Sequence, residues 1–223
     1  GVEKFMSVIS VVKEFKNMRI GQIGNRIDFF WTTIINESEL LEKFGIEILP
    51  IDIIEFIKEV KENSEKNKKK YIDEFKKTKE KINFSGFENE NSILNLFSMR
   101  DVMLEIASRE KINAYAIQSF MSICRELGVM VEFAAAMVSD KGIPVAAETD
   151  INGAISSIIL QASSFNKEKV FLADLTIRHP ENDNAVLLWH CSSPLSMIDK
   201  NCNPEVSTHW ILPGIPSGSC HWK

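Results

Sequence analysis

The sequence lacks several features that would assign it to a specialised class of protein. Its 223 residues contain only four cysteines, unevenly spaced and without a C-x₂-C unit, which disfavours a disulfide framework and a zinc site. It has no apolar run of about 18 residues or more, and its first residues lack the order of a signal peptide. The net charge of -5 disfavours general nucleic-acid binding. We therefore expect a cytoplasmic protein that binds neither nucleic acid nor membrane.

The overall composition is that of an ordinary globular protein, with 44% hydrophobic and 26% charged residues. The length suits one large domain or two small ones. The chain has no initiator methionine, and its final residues, "SGSCHWK", stop without a terminal helix or a polar tail. We therefore expect a fragment of a longer chain.

Helix-like and strand-like segments alternate through the first part of the chain. A helical pattern over residues 2–17 precedes the strand-like segment "MRIGQIG", and a second helix over 36–44, which Gly45 can end, precedes "IEILPIDI". This alternation predicts an α/β fold in which helices flank a Rossmann-like parallel sheet. Further helices are expected in the lysine- and glutamate-rich segment 58–82, in 92–111 and in 133–142, and further strands in "INAYAIQSF" and "PVAAE".

The character of the sequence changes after Gln161. Two strand-like segments, "KVFLADLTIR" and "NAVLLWHCSS", are separated only by the turn-forming linker "HPENDN", which predicts a β-hairpin. The remaining residues are rich in Pro, Gly, Ser and Trp. The sequence therefore predicts a Rossmann-like domain over 1–165 and the beginning of a β-rich C-terminal domain over 166–223.

Three strand-like segments end in side chains that can bind a metal ion: Glu148, Asp174 and His190. Ligands of open α/β sheets gather beyond the carboxyl ends of the strands. A carboxylate near a buried strand end needs a partner, and a divalent cation is one such partner. Two carboxylates and one imidazole suit Mn²⁺, and less selectively Mg²⁺, Co²⁺ or Zn²⁺. The alternative is that each residue makes a separate contact, for example with Asp150 capping the next helix.

The sequence around these residues supplies a more specific indication. The segments "GIPVAAETDINGAISSIILQ", "KVFLADLT" and "NAVLLWHCSSP" resemble the L-fucose/L-arabinose isomerase superfamily, in particular its L-fucose isomerase-like members. The resemblance implies that this chain corresponds to the central part of such an enzyme. Two departures are that Ser192 stands where the family has a glycine, and that "VEFAAA" stands where many relatives have a cysteine.

The resemblance also implies a chemistry and a set of roles. Glu148 and Asp174 match metal ligands that also transfer protons, His190 matches a metal ligand of the arabinose isomerase branch, and Asp150 would orient Glu148. The implied activity is a metal-dependent aldose–ketose isomerisation of a small sugar through a cis-enediol, with Mn²⁺ as cofactor and Mg²⁺ or Co²⁺ as alternatives. Such enzymes are homo-oligomers, here expected to be trimers or hexamers.

Other candidates for the site are less specific. Gln118 and Ser119 end a predicted strand and could bind sugar hydroxyls, although turn contacts are equally consistent with their position. Arg26, beside the glycine turn "GQIGN", could reach a substrate or a neighbouring subunit. Trp189 could stack on a sugar ring or belong to a core, as could Trp210 and Trp222. The competing hypothesis for the whole chain is a non-catalytic sugar-binding or regulatory module of the same fold.

Overall fold

The computed structural model describes residues 1–16, 18–85, 89–120, 122–190, 192–208 and 219–221. None of the helices in these ranges is both long enough and apolar enough to cross a membrane. In chain order the described elements are α1 (Val2–Phe15), β1 (Arg19–Ile23), α2 (Glu37–Phe44), β2 (Glu47–Ile51), α3 (Ile53–Lys66), α4 (Lys68–Thr78), β3 (Asn83–Phe84), α5 (Glu90–Glu110), β4 (Ala114–Ile117), α6 (Ser122–Leu127), α7 (Glu132–Asp140), β5 (Val145–Ala146), α8 (Ile151–Ser163), β6 (Asp174–Arg178), β7 (Val186–Trp189), β8 (Glu205–Ser207) and β9 (Ser219–His221), with 3₁₀ turns at Trp31–Thr33 and Leu195–Met197.

The centre of the fold is a four-stranded parallel sheet with the strand order β2–β1–β4–β5. Its inner strand β4 is buried over its whole length, as its continuous apolar sequence "AYAI" predicts for a strand covered on both faces. Helices lie on both sides of this sheet, so the predicted α/β class is confirmed.

The ends of the predicted elements follow from local chemistry. The side chain of Asn36 accepts the N–H of Glu39 at the start of α2, and Gly45 ends that helix in the left-handed conformation with φ +70°. The lysine- and glutamate-rich segment forms the two helices α3 and α4, and Asp52 caps the first of them by accepting the N–H groups of Ile54 and Glu55. The helical interpretation of this charged segment is confirmed.

The two faces of the sheet are covered by different sets of helices. On one face α5 packs against α3, α4 and α7 around buried residues such as Phe97 and Phe133. A polar network ties three of these helices together, because Tyr71 accepts the side-chain N–H of Asn63 and donates to Asp101, which also accepts from Lys70. On the other face α8 packs against α1. The buried face of α8 is apolar apart from Ser157, which is the pattern expected of a helix on a sheet.

Two further sheets lie outside the parallel sheet. The antiparallel hairpin of β6 and β7 confirms the prediction from the linker "HPENDN". The short strand β3, which we had not predicted, pairs in parallel with β8, and β8 pairs with β9. This small sheet joins segments from both sides of the predicted boundary at residue 165, and the division into two domains stays a prediction.

Some residues singled out in the sequence lie outside the described residues. These are Cys191, the position after His190 in the motif, and Trp210 and Trp222. Only the backbone of Cys220 and His221, in β9, is described.

Candidate functional site

The candidate site lies at the carboxyl edge of the parallel sheet, where the loops after the strands meet. The chain leaving each strand is hydrogen-bonded to the neighbouring strand: the N–H of Gly24 donates to the carbonyl of Ile51 at 3.1 Å, and that of Gln118 donates to the carbonyl of Ile23 at 2.9 Å. The N–H of Thr149 donates to the carbonyl of Ile117 at 3.0 Å. Gln118 and the Glu148–Thr149 turn therefore share one edge, as parallel strand order requires.

Glu148 lies in a tight turn of unusual conformation. The N–H of Asp150 donates to the carbonyl of Ala147 at 3.0 Å, and the two central residues, Glu148 and Thr149, have φ values of +61° and +53°. Neither is glycine, and left-handed backbone costs a residue with a β-carbon roughly 1–2 kcal/mol. The hydroxyl of Ser119 accepts the Glu148 N–H at 2.7 Å and thereby supports this turn. Strain of this kind is typical of functional positions.

The electrostatic surroundings of Glu148 shift its pKa. Burial of the half-buried side chain raises the pKa of Glu148. The nearby charge of His190 opposes this effect, and the charges of Asp174 and Asp150 add to the raised pKa. Carboxyl groups that act in general acid–base catalysis often have a raised pKa. The same interactions show that the other three residues lie close enough to influence Glu148.

Asp174 and His190 reach the site through the hairpin of β6 and β7. The prediction that Asp174 ends a strand is wrong, because Asp174 is the first residue of β6. It pairs with Trp189, the last residue of β7, so Asp174 and His190 lie at the same end of the hairpin. Asp174 is exposed and His190 is half-buried. The hairpin thus brings together two residues that lie 16 positions apart in the sequence.

The chemistry of these donors suits Mn²⁺, but their arrangement does not form a ready site for it. Among the residues that the structure describes, no three His, Cys, Asp or Glu side chains lie close enough together to hold a metal ion. The assignment of Glu148, Asp174 and His190 as metal ligands therefore stays a prediction.

Asp150 has a structural contact that one of the sequence alternatives named. Its carboxylate accepts the N–H of Gly153 at 2.9 Å and caps the start of α8. Because its charge also adds to the raised pKa of Glu148, capping and electrostatic influence coexist in this residue.

Of the other candidate residues, Ser119 and Arg26 make contacts within the protein, and Trp189 lies at the surface. Ser119 is buried, and besides accepting from Glu148 its hydroxyl lies 3.4 Å from the carbonyl of Ile117. The guanidinium of Arg26 donates to the carbonyls of Ile27, Asp28 and Phe30, so it organises the loop after β1. Trp189 is partly exposed at the end of β7.

The side chains of Gln118 and Ser192 each contain a buried polar atom that has no hydrogen-bond partner among the described residues: Oε1 of Gln118 and Oγ of Ser192. A third such atom, Nε of Arg19, lies 3.0 Å from a carboxylate oxygen of Glu47 and so has an ionic partner. Gln118 uses only its amide N–H₂, which donates to the carbonyl of Asn25 at 3.1 Å. Buried polar atoms without partners are rare in folded proteins, and strain, a catalytic role and bound water or ions are among their causes.

Sequence reasoning did not assign a role to Ser192. This residue has φ +69° and is buried two positions after His190. The signal was available, because the resembling family has a glycine there, and glycine adopts positive φ without strain. Thr149, by contrast, carries no sequence signal for its left-handed conformation.

The chain is similar to known proteins that are named as sugar isomerases. No family model matches the chain. The chain is 26% identical over 186 residues to the sulfoquinovose isomerase of Alkalicoccus urumqiensis, covering 83% of this chain and 41% of that protein. It is 23% identical over 188 residues to the sulfoquinovose isomerases of Priestia aryabhattai and Priestia megaterium, covering 84% of this chain and 41% of each relative.

The chain thus spans less than half the length of these relatives. The similarity agrees with the predicted class of sugar isomerases and does not specify the L-fucose isomerase branch.

Proposed function

We propose that the protein containing this chain is an aldose–ketose isomerase of the L-fucose isomerase-like type, acting on a sugar such as sulfoquinovose. The observation that carries the proposal is the half-buried Glu148, whose pKa is raised by burial and which lies near Asp174 and His190. The curated relatives named sulfoquinovose isomerase support the substrate class.

The reaction moves hydrogen between two neighbouring carbons of the sugar. In the aldose-to-ketose direction, ionised Glu148 takes the proton from C2 as the C2–H electron pair forms the C1=C2 bond of a cis-enediol, and the carbonyl oxygen O1 gains a proton. The O2 proton is then lost as the C2 carbonyl forms, and protonated Glu148 returns a proton to C1. A raised pKa makes the carboxylate of Glu148 a stronger base, which favours the first of these proton transfers.

A second acid–base group is needed at the sugar oxygens. Asp174 and His190 are the candidates, because both lie at the same end of the hairpin and the charge of each affects the pKa of Glu148. The unpartnered Oε1 of Gln118 is available to accept a hydrogen bond from a sugar hydroxyl. Trp189, partly exposed beside His190, offers an aromatic face for the sugar ring.

Mn²⁺ dependence is part of the proposal, with Mg²⁺ or Co²⁺ as alternatives. Glu148, Asp174 and His190 are the residues that would hold the ion, which when bound would polarise the carbonyl and hydroxyl oxygens of the sugar. Their donor types support this assignment. Since the described residues form no ready three-ligand group, a complete site requires the exposed Asp174 to approach Glu148 or a ligand from elsewhere.

A homo-oligomeric state, trimer or hexamer, is also proposed. The supporting observation is the solvent-exposed apolar face of α1, where Val2, Phe5 and Val8 are all more than half exposed. Apolar surface of this kind is commonly covered by a partner.

The proposal is tested with the whole protein, incubated with sulfoquinovose and a panel of other aldoses in D₂O and followed by NMR. We expect the ketose to form and deuterium to enter at the exchanged carbon, because an enediol mechanism passes the proton through a side chain that exchanges with solvent. Sugar binding without turnover would instead support the competing hypothesis, a non-catalytic sugar-binding module.

A further inference from the structure

The turn at Ala147–Asp150 combines a conformation that its residues disfavour with hydrogen bonds that hold it in place. Glu148 and Thr149 both have positive φ, and Thr149 is β-branched, which makes this conformation especially unfavourable. Glycine would adopt it freely. The conformation therefore persists only because the surrounding structure holds it.

Two contacts from the neighbouring strand end hold the turn. The carbonyl of Ile117 accepts the Thr149 N–H, and the hydroxyl of Ser119 accepts the Glu148 N–H at 2.7 Å. The first contact is made by the backbone, so any residue at 117 would provide it. The second contact requires a side-chain acceptor at position 119, and Ser119 supplies it from a buried position with a relative exposure of 3%.

We propose that Ser119 is a positioning residue that holds the backbone of Glu148 in the left-handed conformation needed for proton transfer. This inference rests on the proposed function of Glu148. It accounts for the burial of Ser119, whose hydroxyl makes turn contacts within the protein, the alternative to sugar contact that the sequence left open.

The first test compares Ser119→Ala with Ser157→Ala in the whole protein. Ser157 is a matched control because it is also buried, and its hydroxyl donates to a backbone carbonyl within α8, that of Gly153. We expect kcat of Ser119→Ala to fall about tenfold to a hundredfold with little change in KM, because a misplaced base slows proton transfer without weakening sugar binding. Ser157→Ala should keep the parent kcat. A rise in KM at constant kcat would show that Ser119 contacts the sugar and would overturn the proposal.

The second test asks whether Ser119 acts through Glu148. In a Glu148→Gln background, Ser119→Ala should cause no further loss of kcat, since the group that it positions is already disabled. A full additional loss in that background would contradict the proposal. Partial recovery of kcat in Ser119→Ala/Thr149→Gly is also expected, because glycine adopts the required φ without support.

A readout independent of activity separates this inference from the proposed function. Hydrogen exchange of the Glu148 amide should be slow in the parent and in Ser157→Ala, and faster in Ser119→Ala. Unchanged exchange would show that Ser119 does not hold the turn. If the whole protein turns over no sugar while the amide loses protection in Ser119→Ala, the proposed function fails and the structural role of Ser119 stands.

Discussion

Ser192 is expected to lower the stability of the fold. It has φ +69°, it is buried, and its hydroxyl has no partner among the described residues. Replacing it with glycine relieves left-handed strain of roughly 1–2 kcal/mol and removes an unpaired buried hydroxyl that costs about 1–3 kcal/mol. The greater freedom of glycine in the unfolded chain offsets about 0.5–1 kcal/mol of this gain.

Ser192→Gly should therefore stabilise the fold by about 1–4.5 kcal/mol, measured by thermal and urea unfolding. The matched control is Ser193→Gly at the next position, which is only partly buried and is not among the residues with positive φ. Ser193→Gly should destabilise the fold by about 0.5–1 kcal/mol, because glycine has more conformational freedom in the unfolded chain and relieves no strain in the folded one. A loss of stability in Ser192→Gly as large as that in Ser193→Gly would refute the reasoning.

The remaining predictions concern stability at low pH and the metal. Burial tends to raise the pKa of Asp101, but hydrogen bonds and charges from Lys70, Arg100 and Tyr71 outweigh this effect and lower it. The stability that ionised Asp101 contributes is therefore fully present above its unfolded pKa and is lost as pH falls through the lowered pKa. Unfolding measured from pH 7 to pH 2 should show Asp101→Asn less stable than the parent at neutral pH, with the difference shrinking on acidification; a constant difference would contradict this. Removing metal from the whole protein with EDTA should abolish turnover, and Mn²⁺ should restore it in the parent but not in Asp174→Asn; full activity in EDTA would exclude the proposed metal dependence.

The parts of the fold that the sequence predicted are those with strong local signals. The capping residues around α2 fixed its limits, and the linker "HPENDN" identified the hairpin, because helix caps and tight turns depend on few neighbouring residues. The buried strand β4 followed from the uninterrupted apolar sequence "AYAI", although the strand ends at Ile117, one residue before Gln118, which the sequence had placed within its polar end.

The parts that the sequence did not predict depend on contacts between distant segments. Asp174 begins a strand instead of ending one because the register of β6 is set by its pairing with β7, which an apolar pattern alone does not specify. The short strand β3 forms only because β8, more than a hundred residues later, pairs with it. The left-handed turn at Glu148 is held by Ser119 from another loop, so no local preference of the residues 147–150 could reveal it.

The measurement that tests the central claim most directly is kcat of Glu148→Gln in the whole protein, with Glu181→Gln as control. Glu181 is an exposed carboxylate in the linker between β6 and β7, and no catalytic role is assigned to it. If Glu148 transfers the proton, Glu148→Gln should lower kcat by at least about a hundredfold, the range of a lost acid–base group, and Glu181→Gln should match the parent. Turnover of Glu148→Gln within a few fold of the parent would contradict the account.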